Sequence, residues 1–331
     1  MIKVKLTYPH WPIERQTPAH KGVWGNYHFY CNTPVDKCDY WVVYEGVEGK
    51  SEKTICPREN TIFVTGEPPS IKTYKKEFLD QFATIITCHH DIPHRNPIFQ
   101  QTGLPWHVGR RQKNHINLEF TKDYDELVSL TDFKKDKLLS AVVSSKKDTP
   151  GHQDRLNFIK NLKDHFGESI DIFGRGINEI EDKWDALSRY KYHIALENSF
   201  FNHYWTEKLS DAFLAGCHPI YYGCPNIDQY FSLQSLTRID IKNPQKAISI
   251  IEKCINDSTY EKAMRIIEVE REKILNKYNF FPMICDHINK VHEQTAQFSS
   301  KKIKIKKEPS ESNVFYQLRK KFEAVLHCFS A

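Results

Sequence analysis

Residues 192–209 of this 331-residue chain read YHIALENSFFNHYWTEKL and predict a strand, a polar loop and a helix, in that order. Residues 192–196 form a short, mostly apolar run, which is typical of a buried strand. Apolar residues then recur at steps of three and four up to Gly216, a residue suited to a helix C-terminal turn. Thr206 can cap the first turn of that helix. The segment is therefore typical of an α/β protein.

Similar units occur on both sides of this segment. Strands are predicted at 41–44, 61–64 and 84–86 with a helix over 72–82, and then at 138–143, 170–173, 192–196 and 218–222 with helices over 151–166, 179–188 and 206–215. This alternation predicts two parallel sheets. The polar segment 114–137 is the best candidate for the boundary between them, and no strand is predicted beyond residue 281.

Length and charge limit the class of protein. A chain of 331 residues predicts two domains, and 40% hydrophobic with 27% charged residues is ordinary for a packed globular fold. Residues 301–331 hold eight Lys and Arg against three Asp and Glu, a net charge of +5, so residues 1–300 sum to zero. A neutral body disfavours nucleic acid as a partner.

Cysteines and the N-terminus predict a cytoplasmic protein. The first eight residues alternate like a strand rather than a signal peptide, and no apolar run approaches the roughly 18 residues of a membrane span. The nine cysteines include no Cys-x-x-Cys pair, which favours reduced thiols over a zinc ribbon.

The C-terminal stretch 299–331 is predicted to be a basic amphipathic tail. Five lysines within 301–307 precede a hinge at 309–312, and a helical face of apolar residues follows at Phe315, Leu318, Phe322, Val325 and Phe329. One interpretation is that residues 301–331 bind an anionic membrane surface. The other is a helix packed on the body behind a flexible basic linker.

Three motifs resemble, in order and spacing, the signature of the family 10 α-1,3/4-fucosyltransferases of the soluble bacterial type. They are LENS at 196–199, YWTEKL at 204–209 and HPIYYG at 218–223, within a similarity that spans 140–231. The resemblance implies a GT-B fold, in which two Rossmann-like lobes face a central cleft. It implies an acceptor-binding lobe at 1–133 and a GDP-fucose-binding lobe at 134–298.

The resemblance also implies a donor pocket. Its diphosphate ligands would be Lys208 and Arg155, with Glu207 positioning fucose or ribose hydroxyls and two further lining residues, Tyr204 and Asn198. A guanidinium can bind two phosphate oxygens at once, and a phosphate would offset the cost of a lysine at a helix N-terminus. Taken alone, each of the two cations is more typical of an ordinary surface residue.

Arg175 is a further donor-binding candidate. It lies in the sequence FGRG at 173–176, after a predicted strand, and this sequence also resembles the family. Glycine allows a ligand to approach the backbone closely. A simple turn at the end of the strand explains the sequence equally well.

Glu67 is the predicted catalytic base. Residues 62–69, IFVTGEPP, end a buried strand in a carboxylate and resemble the Thr-Gly-Glu catalytic position of the family, and Pro68 favours an extended Glu67. An inverting transfer needs a base for the acceptor hydroxyl and positive charge for the departing diphosphate. The two cations could supply that charge without a metal. The resemblance implies GDP-fucose as a co-substrate and no obligatory cofactor, while stimulation by a divalent metal stays open. The alternative interpretation of Glu67 is that it lies in a polar turn at the end of a strand and has no catalytic role.

Three other patterns could suggest ligand sites, but we attribute them mainly to the fold. The cluster Cys88-His89-His90-Asp91 with His94 lacks a standard metal-ligand spacing, and adjacent strand residues point to opposite faces. The Asp123-x-Asp125 pair lies in a charged segment typical of a solvated turn. The tryptophans are interpreted mainly as core residues, although Trp24 or Trp106 could stack on an acceptor sugar.

The resulting hypothesis is an inverting transfer of L-fucose from GDP-fucose to a galactose- or N-acetylglucosamine-containing surface glycan, such as lipopolysaccharide. The linkage would be α-1,3 or α-1,4, and the partners a nucleotide sugar and an oligosaccharide or glycolipid. Two alternatives stay open, namely the same fold with another nucleotide sugar and a non-catalytic nucleotide-sugar or glycan-binding protein. The acceptor-binding residues are not identified by the sequence.

Overall fold

The structure, a computed structural model, describes residues 1–9, 12–113, 116–145, 150–292 and 301–309. Its strands are β1 (Ile2–Thr7), β2 (Val23–Trp24), β3 (Tyr27–Cys31), β4 (Tyr40–Tyr44), β5 (Ser51–Cys56), β6 (Thr61–Val64), β7 (Thr84–Thr87), β8 (Pro97–Phe99), β9 (Arg110–Lys113), β10 (Ile116–Phe120), β11 (Lys137–Val142), β12 (Ile170–Phe173), β13 (Tyr190–Leu196), β14 (His218–Tyr222), β15 (Thr237–Arg238) and β16 (Lys301–Lys306). Its α-helices are α1 (Lys76–Leu79), α2 (Tyr124–Ser129), α3 (Pro150–Phe166), α4 (Glu207–Leu214), α5 (Pro244–Asn256), α6 (Thr259–Asn276) and α7 (Phe280–His292).

The first lobe is built on a seven-stranded sheet with the order β2-β3-β1-β4-β6-β7-β8. All neighbouring strands are parallel except β2 and β3. Every residue of the central strands β4, β6 and β7 is buried, which explains their continuous apolar sequences. Because these three strands are parallel neighbours, the loops that follow them meet at one edge of the sheet.

The second lobe is built on a five-stranded parallel sheet with the order β12-β11-β13-β14-β15. The strands predicted at 61–64, 170–173 and 218–222 are confirmed without any shift of their ends. Helix α4 is buried on all sides beyond its first turn, and its residues Leu209, Ala212 and Phe213 pack in the core beneath β13 and β14. The linking segment, residues 100–136 between β8 and β11, contributes Trp106 and Leu127 to this same core.

The chain returns to the first lobe at its end. The apolar side chains of α7, including Phe280 and Ile284, pack in one core with β1 and β4, so this helix does not belong to the second lobe as the 134–298 assignment expects. Residues 301–306 form β16, antiparallel to β5, and Ile305 is buried. The expectation of a flexible basic linker is therefore wrong at 301–306. Alternation of Lys and Ile has the period of a strand. The predicted apolar face at 315–329 lies outside the described residues.

Two predicted helices are wrong. The segment 72–82 forms only the short α1, because the Lys72 ammonium and the Tyr74 hydroxyl bind the Glu45 carboxylate at 3.0 Å each. The segment 179–188 forms only a single 3₁₀ turn, Lys183–Ala186. There the Asp182 carboxylate accepts a hydrogen bond from the Gly109 amide at 2.9 Å in the linking segment. Contacts between distant residues override local helix periodicity in both places.

No helix among the described residues is long and apolar enough to cross a bilayer. The eight cysteines that the structure describes are all free thiols, and seven of them are buried.

Candidate functional site

The two lobes contact each other at the carboxyl ends of their parallel strands. The Ser70 hydroxyl, beyond β6, lies 2.7 Å from the Ser199 hydroxyl, beyond β13. The Gln101 amide, beyond β8, donates to the Tyr230 hydroxyl at 3.0 Å. Open α/β sheets bind ligands at this edge of the strands. The cleft between these loops is therefore the candidate site.

A fully buried carboxylate organises the second-lobe side of the cleft. Glu197 follows β13, and its Oε1 accepts hydrogen bonds from the Thr206 amide at 2.8 Å and the Thr206 hydroxyl at 3.0 Å. Thr206 caps α4 by accepting from the Lys208 amide at 3.2 Å. The buried carboxylate thus fixes the start of α4, whose first residues are Glu207 and Lys208.

Lys208 lies between two carboxylates. Its Nζ is 3.0 Å from Glu207 Oε1 and 3.5 Å from Glu197 Oε2. Burial alone would lower the pKa of Lys208, but these two negative charges raise it above its ordinary value. Burial would raise the pKa of Glu207, yet Lys208 and then His107 lower it. Both groups are therefore charged at neutral pH, as a site for phosphate and sugar hydroxyls requires.

Arg155 adds a second buried cation. It lies in the second turn of α3, is only 6% exposed, and donates from Nη1 to the Leu196 carbonyl at 3.3 Å. Its Nε has no hydrogen-bond partner among the described residues. Burial lowers the pKa of Arg155, and the charges of Glu197 and Glu207 oppose that effect. A buried donor without an acceptor is costly unless a ligand supplies one.

The remaining predicted donor-site residues divide into two groups. The Tyr204 hydroxyl donates to Asn198 Oδ1 at 3.1 Å, so these two side chains meet beside Glu197. Arg175, in contrast, is exposed on the turn after β12, which lies two strands from β13, about 10 Å across the sheet. The structure therefore groups Arg155, Asn198, Tyr204, Glu207 and Lys208, and it places Arg175 at the margin.

Glu67 lies on the first-lobe side of the cleft, three residues beyond Val64, the last residue of β6. Glu67 is exposed as a residue, yet partial burial of its carboxyl group and then the charge of Glu45 raise its pKa. The positive charge of Lys208, on the opposite lobe, acts in the other direction. Glu67 and the cationic cluster are thus close enough to influence each other across the cleft.

Glu45 holds the Glu67 loop in place. Its Oε1 accepts hydrogen bonds from the Gly66 amide and, at 2.8 Å, from the Glu67 amide. A Cβ at position 66 would collide with this carboxylate, so any larger residue there would displace the Glu45 side chain. Glu45 itself adopts a φ of +63°, a costly conformation for a residue with a side chain. His89 completes the support by donating from Nε2 to the Glu67 carbonyl at 2.8 Å.

Glu45 and Glu197 are site residues that the sequence analysis missed. Glu197 stands within the LENS motif, and its position directly after a buried strand was a usable signal. Glu45 also follows a buried strand, but nothing near it in the sequence links it to Glu67, 22 residues away.

The candidate metal cluster, the aspartate pair and the two tryptophans are the patterns that we attributed mainly to the fold. Among the residues that the structure describes, no three His, Cys, Asp or Glu side chains are grouped to hold a metal ion. Asp123 caps α2, and Asp125 accepts from the Ala19 amide at 2.7 Å. Trp106 is 2% exposed in the core and Trp24 packs edge-on against Tyr124, so neither ring is placed as a platform in the cleft.

A carboxylate on one α/β lobe and two cations on the other, one half-buried and one buried, define a two-lobed protein with an anion-binding cleft. Residues 133–307, more than half of the chain, match the family model described as glycosyltransferase family 10 (fucosyltransferase), C-terminal. The chain belongs to glycosyltransferase family 10.

Relatives support this membership over shorter segments. An α-(1,3)-fucosyltransferase of Helicobacter pylori is 36% identical over 73 residues, 22% of this chain and 15% of its own length. The 4-galactosyl-N-acetylglucosaminide 3-α-L-fucosyltransferase 9 of Cricetulus griseus is 27% identical over 172 residues, 48% of this chain and 45% of its own. The GDP-fucose protein O-fucosyltransferase 3 of Danio rerio is 25% identical over 156 residues, which are 43% of this chain and 33% of that protein. The chain thus matches less than half the length of these relatives.

One solved structure extends the similarity to the whole fold. A crystal structure of an α1,3-fucosyltransferase with GDP-fucose matches with a TM-score of 0.50 and 17% sequence identity, covering 91% of this chain and 93% of the other. This match confirms the GT-B architecture of two lobes around a cleft.

Proposed function

We propose that this protein transfers L-fucose from GDP-fucose to a hydroxyl of a galactose- or N-acetylglucosamine-containing glycan, with inversion at the anomeric carbon. The acceptor oxygen forms a bond to C1 of fucose while the bond from C1 to the β-phosphate oxygen breaks. The electron pair of the broken bond leaves with GDP, and the acceptor proton moves to the Glu67 carboxylate. No net oxidation or reduction takes place.

The observation that carries this proposal is the position of Glu67 on one side of the cleft and of Lys208 and Arg155 on the other. A base on one lobe and cations on the other suit a transfer in which the sugar lies between them, with the acceptor on the side of the base. The raised pKa of Glu67 suits a group that must accept a proton. Family membership makes a fucosyl nucleotide the preferred donor.

The donor would be bound by the charges already described. Lys208 and Arg155 would contact the diphosphate and stabilise the charge that develops on it as GDP departs. Glu207, held ionised by Lys208, would accept hydrogen bonds from hydroxyls of fucose or ribose. Tyr204 and Asn198 would line the same pocket. Among the relatives are α-(1,3)-fucosyltransferases and a protein named for GDP-fucose, which supports this choice of donor and an α-1,3 or α-1,4 product.

Calorimetric titration with GDP-fucose, GDP-mannose and UDP-galactose tests the donor. We expect micromolar binding of the GDP-sugars only, and its loss in Lys208→Ala. Lys246→Ala, which removes another lysine near a helix start, is the control. Binding of UDP-galactose alone would show that the donor is a UDP-sugar and not GDP-fucose. Binding of GDP-fucose without transfer to any glycan tested would favour a non-catalytic sugar-binding protein.

The proposal includes a location at the cytosolic face of the membrane, where a lipopolysaccharide or another surface glycan is assembled. Supporting it, the five lysines of 301–307 are exposed along one edge of the first lobe. Lysine clusters are attracted to anionic lipids. Sedimentation with vesicles of phosphatidylglycerol, compared with phosphatidylcholine alone, tests this part. Equal recovery in the supernatant with both would overturn it.

A further inference from the structure

Three aromatic side chains form an array that crosses the mouth of the cleft. The imidazole of His90 stacks on the Phe99 ring with centroids 4.9 Å apart and an angle of 19° between the planes. On the opposite lobe, the His203 ring lies 5.7 Å from His90. Phe99 is 39% exposed and His90 is exposed as well. His90 thus covers part of Phe99, and more than a third of this phenylalanine remains accessible to a ligand.

The array is adjacent to both halves of the candidate site. His90 directly follows His89, whose Nε2 donates to the carbonyl of Glu67 at 2.8 Å. His203 directly precedes Tyr204, whose hydroxyl donates to Asn198 in the candidate donor pocket. A molecule lying on the array would therefore be close to both the base and the donor pocket.

The array is held in place by the fold. Phe99 ends β8, and His90 lies in the loop after the neighbouring strand β7. His203 adopts a φ of +65°, its amide donates to Asn226 Oδ1 at 2.8 Å, and its Nδ1 lies 2.6 Å from the Tyr230 hydroxyl. A non-glycine residue fixed in the left-handed region by such contacts is typical of functional loops.

We propose that His90, Phe99 and His203 form the acceptor subsite and that its ligand is a pyranose ring of the acceptor glycan. A pyranose presents one face of C–H groups, which packs on the apolar face of an aromatic ring, and a rim of hydroxyls, which imidazole nitrogens can bind. This inference rests on the proposed function. It assigns to the array the role that the sequence had suggested for Trp24 or Trp106.

The test compares Phe99→Ala and His90→Ala with Leu118→Ala, which truncates another exposed apolar residue away from the array. N-acetyllactosamine, lacto-N-biose and lactose serve as acceptor probes, and GDP release is measured at saturating GDP-fucose. We expect KM for the acceptor that wild type uses to rise about tenfold in Phe99→Ala, which corresponds to a loss of about 1.4 kcal/mol. The Kd for GDP-fucose should be unchanged, and Phe99→Tyr should restore KM.

The outcomes separate the two proposals. If wild type releases GDP with none of the probes, the proposed function falls and the subsite falls with it. If wild type is active and both alanine variants keep its acceptor KM, only the subsite is overturned. If KM for acceptor and Kd for GDP-fucose rise together, the rings support the fold of the cleft rather than the acceptor, and the assignment is again wrong.

Discussion

The Nζ of Lys208 lies 3.5 Å from Oε2 of Glu197, a carboxylate with no exposed surface. The candidate diphosphate ligand therefore rests on a buried negative charge whose other hydrogen bonds come from Thr206. Burial raises the pKa of Glu197, and Lys208 opposes that increase. An ionised group in this position is stable only while its partners are present.

Glu197→Gln should lower the stability of the free protein more than that of the GDP complex. The substitution removes one of the two carboxylates beside Lys208, which should cost about 1–3 kcal/mol of unfolding free energy. A bound diphosphate replaces the missing negative charge. Thermal unfolding with and without GDP is the measurement, and we expect the melting temperature of the variant to approach that of wild type at saturating GDP.

Lys208→Met is the control for that experiment, because it should remove the stabilisation by GDP altogether. A Glu197→Gln protein that folds but gains less stability from GDP than wild type would contradict this account of the pair.

Glu67→Gln should abolish transfer while leaving the donor site intact. The amide keeps the size of the side chain but cannot accept the acceptor proton, so kcat should fall by about 10²–10⁴-fold. The Kd for GDP-fucose, measured by calorimetry, should stay within about a factor of two, since the diphosphate ligands lie on the other lobe. Retention of more than a tenth of wild-type turnover would remove Glu67 from the role of base.

Glu45→Gln should shift the acid limb of the pH–rate profile to lower pH. The negative charge of Glu45 helps to raise the pKa of Glu67, so its removal lowers that pKa. The active form of the base is the carboxylate, and a lower pKa keeps it ionised at more acidic pH. The profile of kcat/KM against pH reports the pKa in the free enzyme. Glu59→Gln, at an exposed turn before β6, is the matched control and should leave the limb in place.

Ile305→Ala should destabilise the protein although it lies far along the chain from both sheets. Its side chain is 1% exposed in the core formed with Trp41 and Phe63, and removing a buried isoleucine costs about 2–5 kcal/mol. Lys304→Ala, at the exposed neighbouring position, should change stability by less than about 0.5 kcal/mol. Denaturant unfolding measures both. Equal, small effects would mean that β16 adds nothing to the first lobe.

The central strands were predictable because burial on both faces leaves an apolar sequence that few alternatives explain. The segments 61–64 and 218–222 are of this kind. The failed helix at 179–188 had a suitable period, but Asp182 binds Gly109 in the linking segment, a contact that no local pattern reveals. Strand β16 was missed although its local pattern is that of a strand. Ile303 and Ile305 alternate with lysines, but the many lysines were interpreted as a basic linker.

Some residues of the candidate site could likewise be predicted from the sequence, and others could not. Residues that lie in one contiguous motif, such as Tyr204, Glu207 and Lys208, were found together because a strand, a loop and a helix start keep them close. Glu45 was not found, since its partner Glu67 is reached only through the parallel register of β4 and β6. The His90–Phe99 pair depends likewise on the register of β7 beside β8.

The return of α7 and β16 to the first lobe makes the second lobe an insertion in the first. Strands β11–β15 lie in the chain between β8 and α7, although α7 completes the core that β1 begins. A single proteolytic cut in the linking segment would therefore leave the lobes joined through residues 276–280. Exchanging the donor-binding half between relatives requires two junctions, one on each side of the insertion, and a fragment ending at residue 133 would expose the apolar surface that Phe280 and Ile284 cover.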